Sequence, residues 1–303
     1  MSENPTSEQQ ALDVFLAERR WLFSIAYRML GSASEAEDVL QEAYLRWRST
    51  AYDEVDSPRG FLTSVVVRLS IDVLRSARVR REAYVGPWLP EPLVADDAPG
   101  PDEAAELADS VSLAFLVLLE ELTPVERAVF LLREVFGYDY PTVAAMVGKT
   151  EANCRQLVVR GRQRVAERRT RFEADSAHGR ELTARFLAAC MTGDLDGLLG
   201  MLAEDVVVWS DGGGKAQAAR KPVAGREKAG RFLVGIAAKG GSDFDGRLVS
   251  INGQPGGVFG RDGRIEYAVA LDVLEGRIVG VRIIANPDKL AHLQAQATSR
   301  DGR

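Results

Sequence analysis

Residues 123–165 read TPVERAVFLLREVFGYDYPTVAAMVGKTEANCRQLVVRGRQRV. Thr123 followed by Pro124 is typical of a helix start, because a threonine side chain can cap the first turn and proline there loses no hydrogen bond. A second short helix is expected to end at Gly148, and Thr150 is placed to cap a third helix that is rich in arginine. The pattern predicts a helix-turn-helix whose last helix is presented to DNA.

The third of these helices reverses the charge of the chain. The 303 residues include 38 Lys and Arg against 44 Asp and Glu, which gives a net charge of −6 at pH 7. Between Lys149 and Arg171, however, eight basic residues are opposed only by Glu151 and Glu167. Such a segment attracts phosphate groups. A charge run by itself is also typical of a solvated helix face, so the rest of the chain has to decide between these interpretations.

A second block, residues 25–81, has an acidic part and a basic part. The acidic part predicts a helix capped by Ser34, with an apolar stripe made of Ala36, Val39, Leu40, Ala43, Leu45 and Trp47. The acidic face of this helix favours a basic protein partner over DNA. The basic part predicts a helix that starts at Ser57 and Pro58 and exposes several arginines, which is typical of a nucleic-acid surface.

Three segments of this block carry a family resemblance. They are AYRMLG at residues 26–31, EAEDVLQEAYLR at residues 35–46 and IDVLR at residues 71–75. Together with the helix-turn-helix of residues 122–164, they closely resemble regions 2 and 4 of bacterial extracytoplasmic-function sigma factors. The resemblance covers roughly residues 10–170 and implies two all-α domains that bind core RNA polymerase and promoter DNA and initiate transcription, without enzymatic activity or a cofactor.

The resemblance also implies a role for individual residues. Contact with the largest polymerase subunit is expected from Asp38, Gln41 and Glu42. Recognition of the minus-10 element is expected from Arg59, Arg68, Arg75, Arg78, Arg80 and Arg81, although many relatives have Asn where this chain has Arg68. Recognition of the minus-35 element is expected from Glu151, Asn153, Arg155, Gln156 and Arg160, and these residue types can bond base edges in the major groove.

Residues 86–109 predict a linker, because they are rich in proline and acidic residues and contain no Lys or Arg. Within it, the motif WLPEP at residues 88–92 places Trp88 and Leu89 where they gain little unless they dock on another part of the protein. A locally packed aromatic residue is the alternative interpretation. We therefore expect either local packing or a latch that holds the linker.

Residues 178–295 predict a further domain, with short helices followed by strands and hairpin turns at Asp262-Gly263 and Glu275-Gly276. Helices first and an antiparallel meander after indicate an α+β domain. The pattern resembles the cone-shaped SnoaL-like domain that some sigma factors carry at the C-terminus, after region 2 (residues 8–85), the linker (86–109) and region 4 (110–172). Three motifs carry this resemblance and are expected to form a regulatory seam between domains: Trp88, Leu89, Pro90 and Glu91; Asp211, Gly212, Gly213, Gly214 and Lys215; Asn286, Pro287, Asp288, Lys289 and Leu290. In the last of them, Pro287 is expected to stop the final strand, and Lys289 and Leu290 are expected to begin a tail.

Two alternatives stay open for the function. Cone-shaped domains can enclose an apolar pocket, for which Asp205, Trp209, Asp211, Glu266 and Tyr267 are candidates. Such a pocket would bind a small apolar ligand, whereas catalysis lacks a visible acid–base pair. A stand-alone DNA-binding regulator is the other alternative, but it leaves the acidic face of residues 35–42 without a role.

The remaining composition limits the class of protein. Cys154 and Cys190 are far apart and have no histidine near them, so neither a disulfide framework nor a zinc site is expected. The N-terminus lacks the basic and apolar segments of a signal peptide, and no apolar run is long enough to span a bilayer. These features predict a cytoplasmic protein without a metal.

Overall fold

The structure, a computed structural model, describes residues 7–50, 55–95, 112–166, 177–240 and 245–301. The chain folds into two compact units. The first combines residues 1–82 with residues 118–168, and the second combines residues 83–117 with residues 169–303. The described part of the predicted linker therefore groups with the C-terminal part of the chain.

The described residues in the first half of the first unit form the helices α1 (Ser7–Leu30), α2 (Ala33–Arg48) and α3 (Pro58–Glu82). Ser32 caps α2, because its hydroxyl accepts a hydrogen bond from the amide of Glu35 at 3.1 Å. The indole of the fully buried Trp47 donates to the carbonyl of Ala11 at 2.9 Å. This bond ties the end of α2 to the beginning of α1.

The apolar stripe of α2 differs from the sequence prediction at one residue. Leu45 was expected in the stripe, but 52% of its surface is exposed. The buried residues follow the 3.6-residue period of a helix and are Ala33, Ala36, Val39, Leu40, Ala43 and Trp47. Leu45 lies off this period and joins the polar face of α2.

The second half of the first unit contains the predicted helix-turn-helix. Its helices are α4 (Leu113–Leu119), of which the unit includes the part from Leu118 onward, α5 (Pro124–Phe130), α6 (Tyr140–Val147) and α7 (Glu151–Ala166). A π-helical turn, Leu131–Val135, extends α5. Thr123 and Glu126 form a reciprocal cap at the start of α5, and Gly148 ends α6 with a φ of 65°. The sequence predicted these two boundaries.

A buried arginine connects the two halves of the first unit. Arg127 in α5 is 2% exposed and donates to the carbonyl of Met29 at the end of α1 at 2.7 Å. It also donates to the carbonyl of Leu119 at 2.9 Å and forms an ion pair with Glu120 at 2.5 Å. A guanidinium can satisfy all three acceptors because its N–H groups point in fixed, divergent directions. Arg127 thus satisfies the carbonyl ends of two helices at once.

Replacing Arg127 should destabilise the first unit. Arg127→Leu leaves two helix-terminal carbonyls without their donor and Glu120 without its ion pair, so we expect a loss of about 3 kcal/mol in the free energy of unfolding. The matched control is Arg162→Leu, which removes an exposed ion pair with Glu134 and should cost about 0–1 kcal/mol. Urea denaturation followed by far-UV circular dichroism measures both values, and equal losses would contradict the assigned role.

In the residues that the structure describes, the second unit is built on a sheet of seven strands. In chain order they are β1 (Val94–Ala95), β2 (Leu202–Asp211), β3 (Val223–Ala224), β4 (Asp245–Ile251), β5 (Gln254–Arg261), β6 (Arg264–Leu274) and β7 (Arg277–Ile284). Their order across the sheet is β1-β4-β5-β6-β7-β2-β3. The helices α8 (Ala177–Thr192), α9 (Leu195–Met201), α10 (Arg226–Gly240) and α11 (Pro287–Asp301) complete the unit.

The sheet is mixed, whereas the sequence predicted a purely antiparallel meander. Strands β4 to β7 form the meander, but β2 pairs with β7 in parallel. The chain passes through α10 between β2 and β4. In the sheet, β2 lies beside β7, at the end of the meander that is opposite to β4. The two predicted hairpin turns are present, because Asp262, Gly263, Glu275 and Gly276 all have a positive φ of 51–70°.

The two faces of the sheet are covered by different parts of the chain. On β6, Val269, Leu271 and Val273 point to a core shared with α8, α9 and α10. Their neighbours Ala268 and Ala270 point to the other face, since side chains alternate along a strand. That second core includes Leu89 and Leu113 from the linker side and Leu290 and Leu293 from α11, so linker residues form part of a hydrophobic core.

Candidate nucleic-acid interface and linker latch

The outer face of α7 carries the residues predicted to read DNA. Asn153, Arg155, Gln156 and Arg160 are exposed there, and Glu151 is partly exposed. Arg155 is oriented by an ion pair with Glu151 at 3.1 Å and by the ring of Tyr140, whose centroid lies 4.9 Å from its guanidinium carbon. The opposite side of α7 is buried through Cys154, Leu157 and Val158. The helix therefore presents one polar, predominantly basic face.

The residues predicted to bind polymerase lie on one face of α2. Asp38, Gln41 and Glu42 are all exposed, and Glu42 pairs with Arg46 at 2.9 Å. Leu45 lies on the same helix and is exposed, whereas the sequence analysis had placed it in the buried apolar stripe. The face thus combines carboxylates with one apolar side chain, a composition suited to a protein partner rather than to DNA.

The arginines predicted for the minus-10 element are less uniform. Arg75 is exposed and pairs with Asp72 at 3.0 Å, and Arg59 pairs with Glu18 at 2.6 Å and lies 5.3 Å from the ring of Trp21. Arg68 donates to two backbone carbonyls in the last turn of α6, that of Met146 at 3.0 Å and that of Ala145 at 3.1 Å. The side chains of Arg78, Arg80 and Arg81 lie outside the described part of the structure. The described members are therefore already engaged in contacts within the first unit.

A buried carboxylate at the end of β2 brings the three sequence motifs of the second unit together. Asp211 is 0% exposed. One of its oxygens accepts from the hydroxyl of Tyr84 at 2.6 Å and from the amide of Gly213 at 3.0 Å. The other accepts from the amide of Leu89 at 2.8 Å and from the ammonium of Lys289 at 2.7 Å. Tyr84, Leu89, Asp211, Asn286 and Lys289 are called the linker latch below.

Lys289 is the second charged group of the linker latch. It is 7% exposed, and besides Asp211 it donates to the carbonyl of Leu89. Its ammonium lies 4.2 Å from the ring centroid of Trp88 and 5.0 Å from that of Tyr84, which suits a cation. Asp211 and Lys289 together satisfy both backbone groups of one linker residue, Leu89.

Tyr84 is a member of the linker latch that the sequence analysis missed. Its hydroxyl donates to Asp211 and accepts from the side-chain amide of Asn286 at 2.9 Å. Burial, and then the hydrogen bond to Asp211, raise the pKa of Tyr84 well above its usual value, so the phenol stays neutral and can donate. A single tyrosine ahead of a proline-rich segment gives no sequence signal for such a role.

The glycine-rich loop after β2 is shaped by close approaches. Gly213 and Gly214 have φ values of 59° and 72°, which favour glycine. A Cβ at Gly213 would overlap the amide of Asn286, and one at Gly212 would overlap the carbonyl of Ala216. Lys215 points outward to Asp288 at 2.6 Å, and both side chains are exposed. The motif at residues 211–215 thus has a buried charge at its start, Asp211, and an exposed charge at its end, Lys215.

The motif after β7 begins a helix rather than a tail. Asn286 caps α11, because its side chain accepts from the amide of Asp288 at 3.1 Å, and Pro287 occupies the first turn. The sequence prediction of a tail after Pro287 was wrong, since it read proline as a strand stop and overlooked its place after an asparagine cap. The helix is what places Lys289 and Leu290 towards the linker.

The linker continues along the same face of the sheet after the linker latch. Pro90 and Glu91 are buried, and the carbonyl of Pro92 lies 2.7 Å from Nε2 of His292 in α11. Strand β1 then pairs with β4, with Val94 opposite Ile251 and Ala95 opposite Ser250. Residues 84–95 are thus held by side chains, by a strand ladder and by a hydrophobic core, although their composition had predicted little burial.

Comparison with known proteins connects these faces to a family. The family model for Sigma-70 region 2 matches residues 14–80, and the model for Sigma-70 region 4 matches residues 112–165. The chain is 40% identical to the ECF RNA polymerase sigma factor SigJ of Mycobacterium tuberculosis, over 94% of this chain and 96% of that protein. The chain belongs to the ECF RNA polymerase sigma factors.

Further similarities extend over nearly the whole sigma factor. It is 32% identical to the probable ECF RNA polymerase sigma factor SigI of Mycobacterium tuberculosis, over 92% of this chain and 94% of that one. The crystal structure of SigJ matches with a TM-score of 0.74 at 36% identity, over 92% of this chain and 98% of that chain. The predicted family, fold class and sigma factor function are confirmed, and the interpretation as a stand-alone regulator is not supported. Core RNA polymerase and promoter DNA follow as partners.

A second buried ion pair of the sigma factor lies on the linker-facing side of the sheet. Asp272 and Arg282 pair across β6 and β7, and the guanidinium carbon lies 4.7 Å from the ring centroid of Trp209. Asp272 also accepts from the side-chain amide of Gln254 at 2.7 Å. The oxygen of that amide accepts from the backbone of Leu113 at 3.2 Å, at the start of α4. Sequence analysis missed this network because its members are separated by long stretches of chain.

An apolar cavity lies on the other face of the sheet, between α8, α10 and the strands. Its volume is about 70 Å³, and it is lined by Phe186, Leu187, Cys190, Met191, Leu233, Ile236, Ala237, Phe259, Tyr267, Val269 and Ile283. Of the pocket residues expected from the sequence, only Tyr267 lines it. Trp209 and Asp211 lie on the linker-facing side, because alternate residues of β2 face opposite sides. Burial raises the pKa of Cys190 to about 12, so its thiol stays protonated.

Within residues 7–50, 55–95, 112–166, 177–240 and 245–301, no group of three or more His, Cys, Asp or Glu is placed to hold a metal ion. No helix in the same residues is both long enough and apolar enough to cross a membrane.

The two lysines near Asp211 should differ sharply in their effect on stability. Lys289→Met leaves Asp211 buried without its cation, so we expect the second unit to lose about 3 kcal/mol. Lys215→Met removes an exposed pair with Asp288 and should cost about 0–1 kcal/mol. Thermal unfolding gives the stabilities, and limited proteolysis tests whether the linker is released. Similar behaviour of the two variants would show that the linker latch does not depend on its buried charge.

Proposed function

We propose that this sigma factor reads the minus-35 element with α7 and the minus-10 element with α3, and binds polymerase through α2. The exposed side chains of α7 support the first assignment, because Asn, Gln and Arg bond base edges in the major groove. Asp38, Gln41, Glu42 and Leu45 support the last, because they form an acidic face with an exposed apolar residue. For α3, the support is the set of Arg59, Arg68 and Arg75 along one helix.

The minus-35 assignment predicts a sequence-specific loss. Gln156→Ala should weaken binding of the holoenzyme to minus-35 duplex DNA by about 1–3 kcal/mol, with selectivity relaxed at a single base pair. Gln163→Ala is the matched control, because Gln163 is also exposed on α7 but lies outside the predicted reading set. Gel shifts against a series of single base-pair changes provide the measurement. A uniform loss across all sequences would assign Gln156 to the phosphate backbone instead.

We further propose that the C-terminal domain regulates transcription by holding the linker. The observation that carries this proposal is the pairing of both backbone groups of Leu89 with buried charges of the C-terminal domain. If the linker leaves, Asp211 loses the hydrogen bond from the amide of Leu89 and Lys289 loses the carbonyl that accepts from it. Charged groups that are buried without their hydrogen-bond partners are costly. Docking of the linker and integrity of the domain are therefore coupled.

The linker is held near both of its ends. Residues 84–95 occupy the linker latch and β1, and Leu113 packs into the same core while its amide bonds Gln254. A free chain of this composition would sample many end-to-end distances. Docking instead restricts the distance between the residues that follow α3 and the residues that begin α4. We propose that this restriction selects the promoter spacing that the sigma factor accepts.

Loosening the linker latch should therefore broaden the tolerance for promoter spacing. One base pair changes the separation of two DNA elements by about 3.4 Å and their relative rotation by about 35°. Run-off transcription with core RNA polymerase measures this tolerance. The full-length wild type should lose output steeply when the spacer between the two promoter elements is changed by one base pair. Tyr84→Phe should lose less, because its side chain has no hydroxyl to donate a hydrogen bond to Asp211. Lys215→Met serves as the control and should match the wild type. Identical spacer profiles for Tyr84→Phe and wild type would refute the proposal.

Other assignments for the C-terminal domain stay predictions. A neutral, apolar small molecule is the ligand class that the cavity would admit, because no charged side chain lines it. The domain is proposed to act without catalysis. The cytoplasm is the proposed location, as the compartment in which RNA polymerase and promoter DNA occur together.

A further inference from the structure

A basic segment of the C-terminal domain lies outside the linker latch and outside the two sigma regions. Residues 212–240 contain seven Lys and Arg against a single acid, Glu227, in a chain whose net charge is −6. The net charge of this segment, +6, equals that of residues 149–171, which include most of α7. A local reversal of charge of this size attracts phosphate groups.

Part of this segment forms a stripe along the outer side of α10. The opposite side of the helix packs into the core of the domain through Leu233. Four exposed positions recur every three or four residues on the outer side and are called the α10 stripe below: Lys228, Arg231, Gly235 and Lys239. At 1.5 Å per residue the stripe is about 17 Å long, which is the length of about five base pairs of duplex DNA.

The cations of the α10 stripe are not neutralised by acids of the domain. In the part of the chain that the structure describes, Lys228 and Lys239 are in no ion pair. Arg231 pairs with Glu227 at 2.8 Å, but both side chains are exposed, so water and salt weaken the pair. A helix face that is merely solvated usually alternates the signs of its charges. Lys228 also lies in the first turn of α10, where the helix dipole disfavours a cation.

Gly235, in the middle of the α10 stripe, is not required by the fold. Its backbone is helical, and a Cβ added there would have no atom within 4 Å. Glycine inside a helix is less stable than alanine, because the unfolded chain loses more conformational freedom. Neither packing nor backbone geometry offsets this cost within the domain. Close approach of a partner to the helix does account for it, because glycine leaves room for that partner.

The phosphate backbone of duplex DNA fits the α10 stripe better than an acidic protein surface does. The centre of a protein interface is apolar, whereas none of the exposed large apolar side chains of the described residues belongs to residues 212–240. Phosphates require cations and close approach but no apolar contact. Promoter DNA is a partner of the sigma factor, so phosphates are present near the domain at high local concentration.

We propose that the α10 stripe binds the phosphate backbone of duplex DNA and gives the C-terminal domain its own contact with the promoter. Lys228 and Lys239 each neutralise one phosphate, and Arg231 exchanges the carboxylate of Glu227 for another. Gly235 lets the DNA backbone come close to the helix. Such contacts add affinity without sequence selectivity. The contact goes beyond promoter recognition by α3 and α7 and uses no residue of the linker latch.

The salt dependence of promoter binding by the holoenzyme tests this contact. Lys228→Gln combined with Lys239→Gln removes two phosphate contacts. The slope of log K against log salt concentration should therefore become less steep by about 2, at about 0.9 per contact. Arg264→Gln combined with Arg277→Gln is the matched control, because it removes the same charge from two exposed residues beside the hairpin turns of the same domain.

The control pair should keep the wild-type slope. A wild-type slope for the pair in the α10 stripe would overturn the proposal. Equal changes of slope in both pairs would also overturn it, because they would assign the effect to the net charge of the domain and not to the stripe.

A bulky residue in the α10 stripe tests the close approach without a change of charge. In Gly235→Leu the added side chain meets open space within the protein, so the Tm should not fall. On DNA the same side chain keeps phosphates away from the flanking lysines, and the Kd of the holoenzyme should rise about tenfold. Gly200→Leu is the matched control, because Gly200 is an exposed glycine of α9 with equally open surroundings. Wild-type affinity of Gly235→Leu would overturn the proposal.

Photo-cross-linking identifies the partner of the α10 stripe directly. A photoreactive amino acid is encoded at position 238, which is exposed beside the stripe, or at position 275, which is exposed in the hairpin between β6 and β7. In promoter complexes of the holoenzyme, position 238 should label DNA and position 275 should not. Labelling of a polymerase subunit and not of DNA from position 238 would overturn the proposal and assign the stripe to a protein partner.

Discussion

The buried ion pair of Asp211 and Lys289 is the interaction on which the second unit depends. A carboxylate and an ammonium removed from water are tolerated only when their remaining hydrogen bonds are satisfied. Here the linker supplies the missing partners, through the amide and carbonyl of Leu89 and the hydroxyl of Tyr84. The C-terminal domain therefore needs the linker to complete its own interior. This dependence explains why the described residues 83–95 group with the C-terminal domain and not with the helix that precedes them in sequence.

Local rules account for the parts of the fold that could be predicted. The ends of α5 and α6 follow from the cap of Thr123 and from Gly148, and the two hairpins follow from Asp262-Gly263 and Glu275-Gly276. The exposed face of α7 follows from helical spacing, because Cys154, Leu157 and Val158 take the buried side. Each of these features depends on residues within a few positions of one another, where side-chain chemistry and backbone geometry act directly.

Tertiary context decided the parts that were missed. The burial of the linker depends on Asp211 and Lys289, which lie more than a hundred residues further along the chain. Leu45 fits an apolar composition but not the helical period. The start of α11 was misread because Pro287 fits both a strand end and the first turn of a helix. The contact of Arg68 with α6 leaves no trace in the sequence, since backbone carbonyls occur at every residue.

Strand β1 makes the linker part of the sheet of the C-terminal domain. Its two residues extend the sheet beyond β4, and a sheet with such an edge strand removed exposes unpaired backbone groups next to an apolar face. The part of the chain that can be exchanged between sigma factors as one piece is therefore the linker together with the C-terminal domain. A fusion that joined this domain to another region 4 without residues 84–95 would lack a strand and part of a core. We expect the linker and the C-terminal domain to be kept or replaced together, in evolution and in engineered fusions, although region 4 lies between them in the chain.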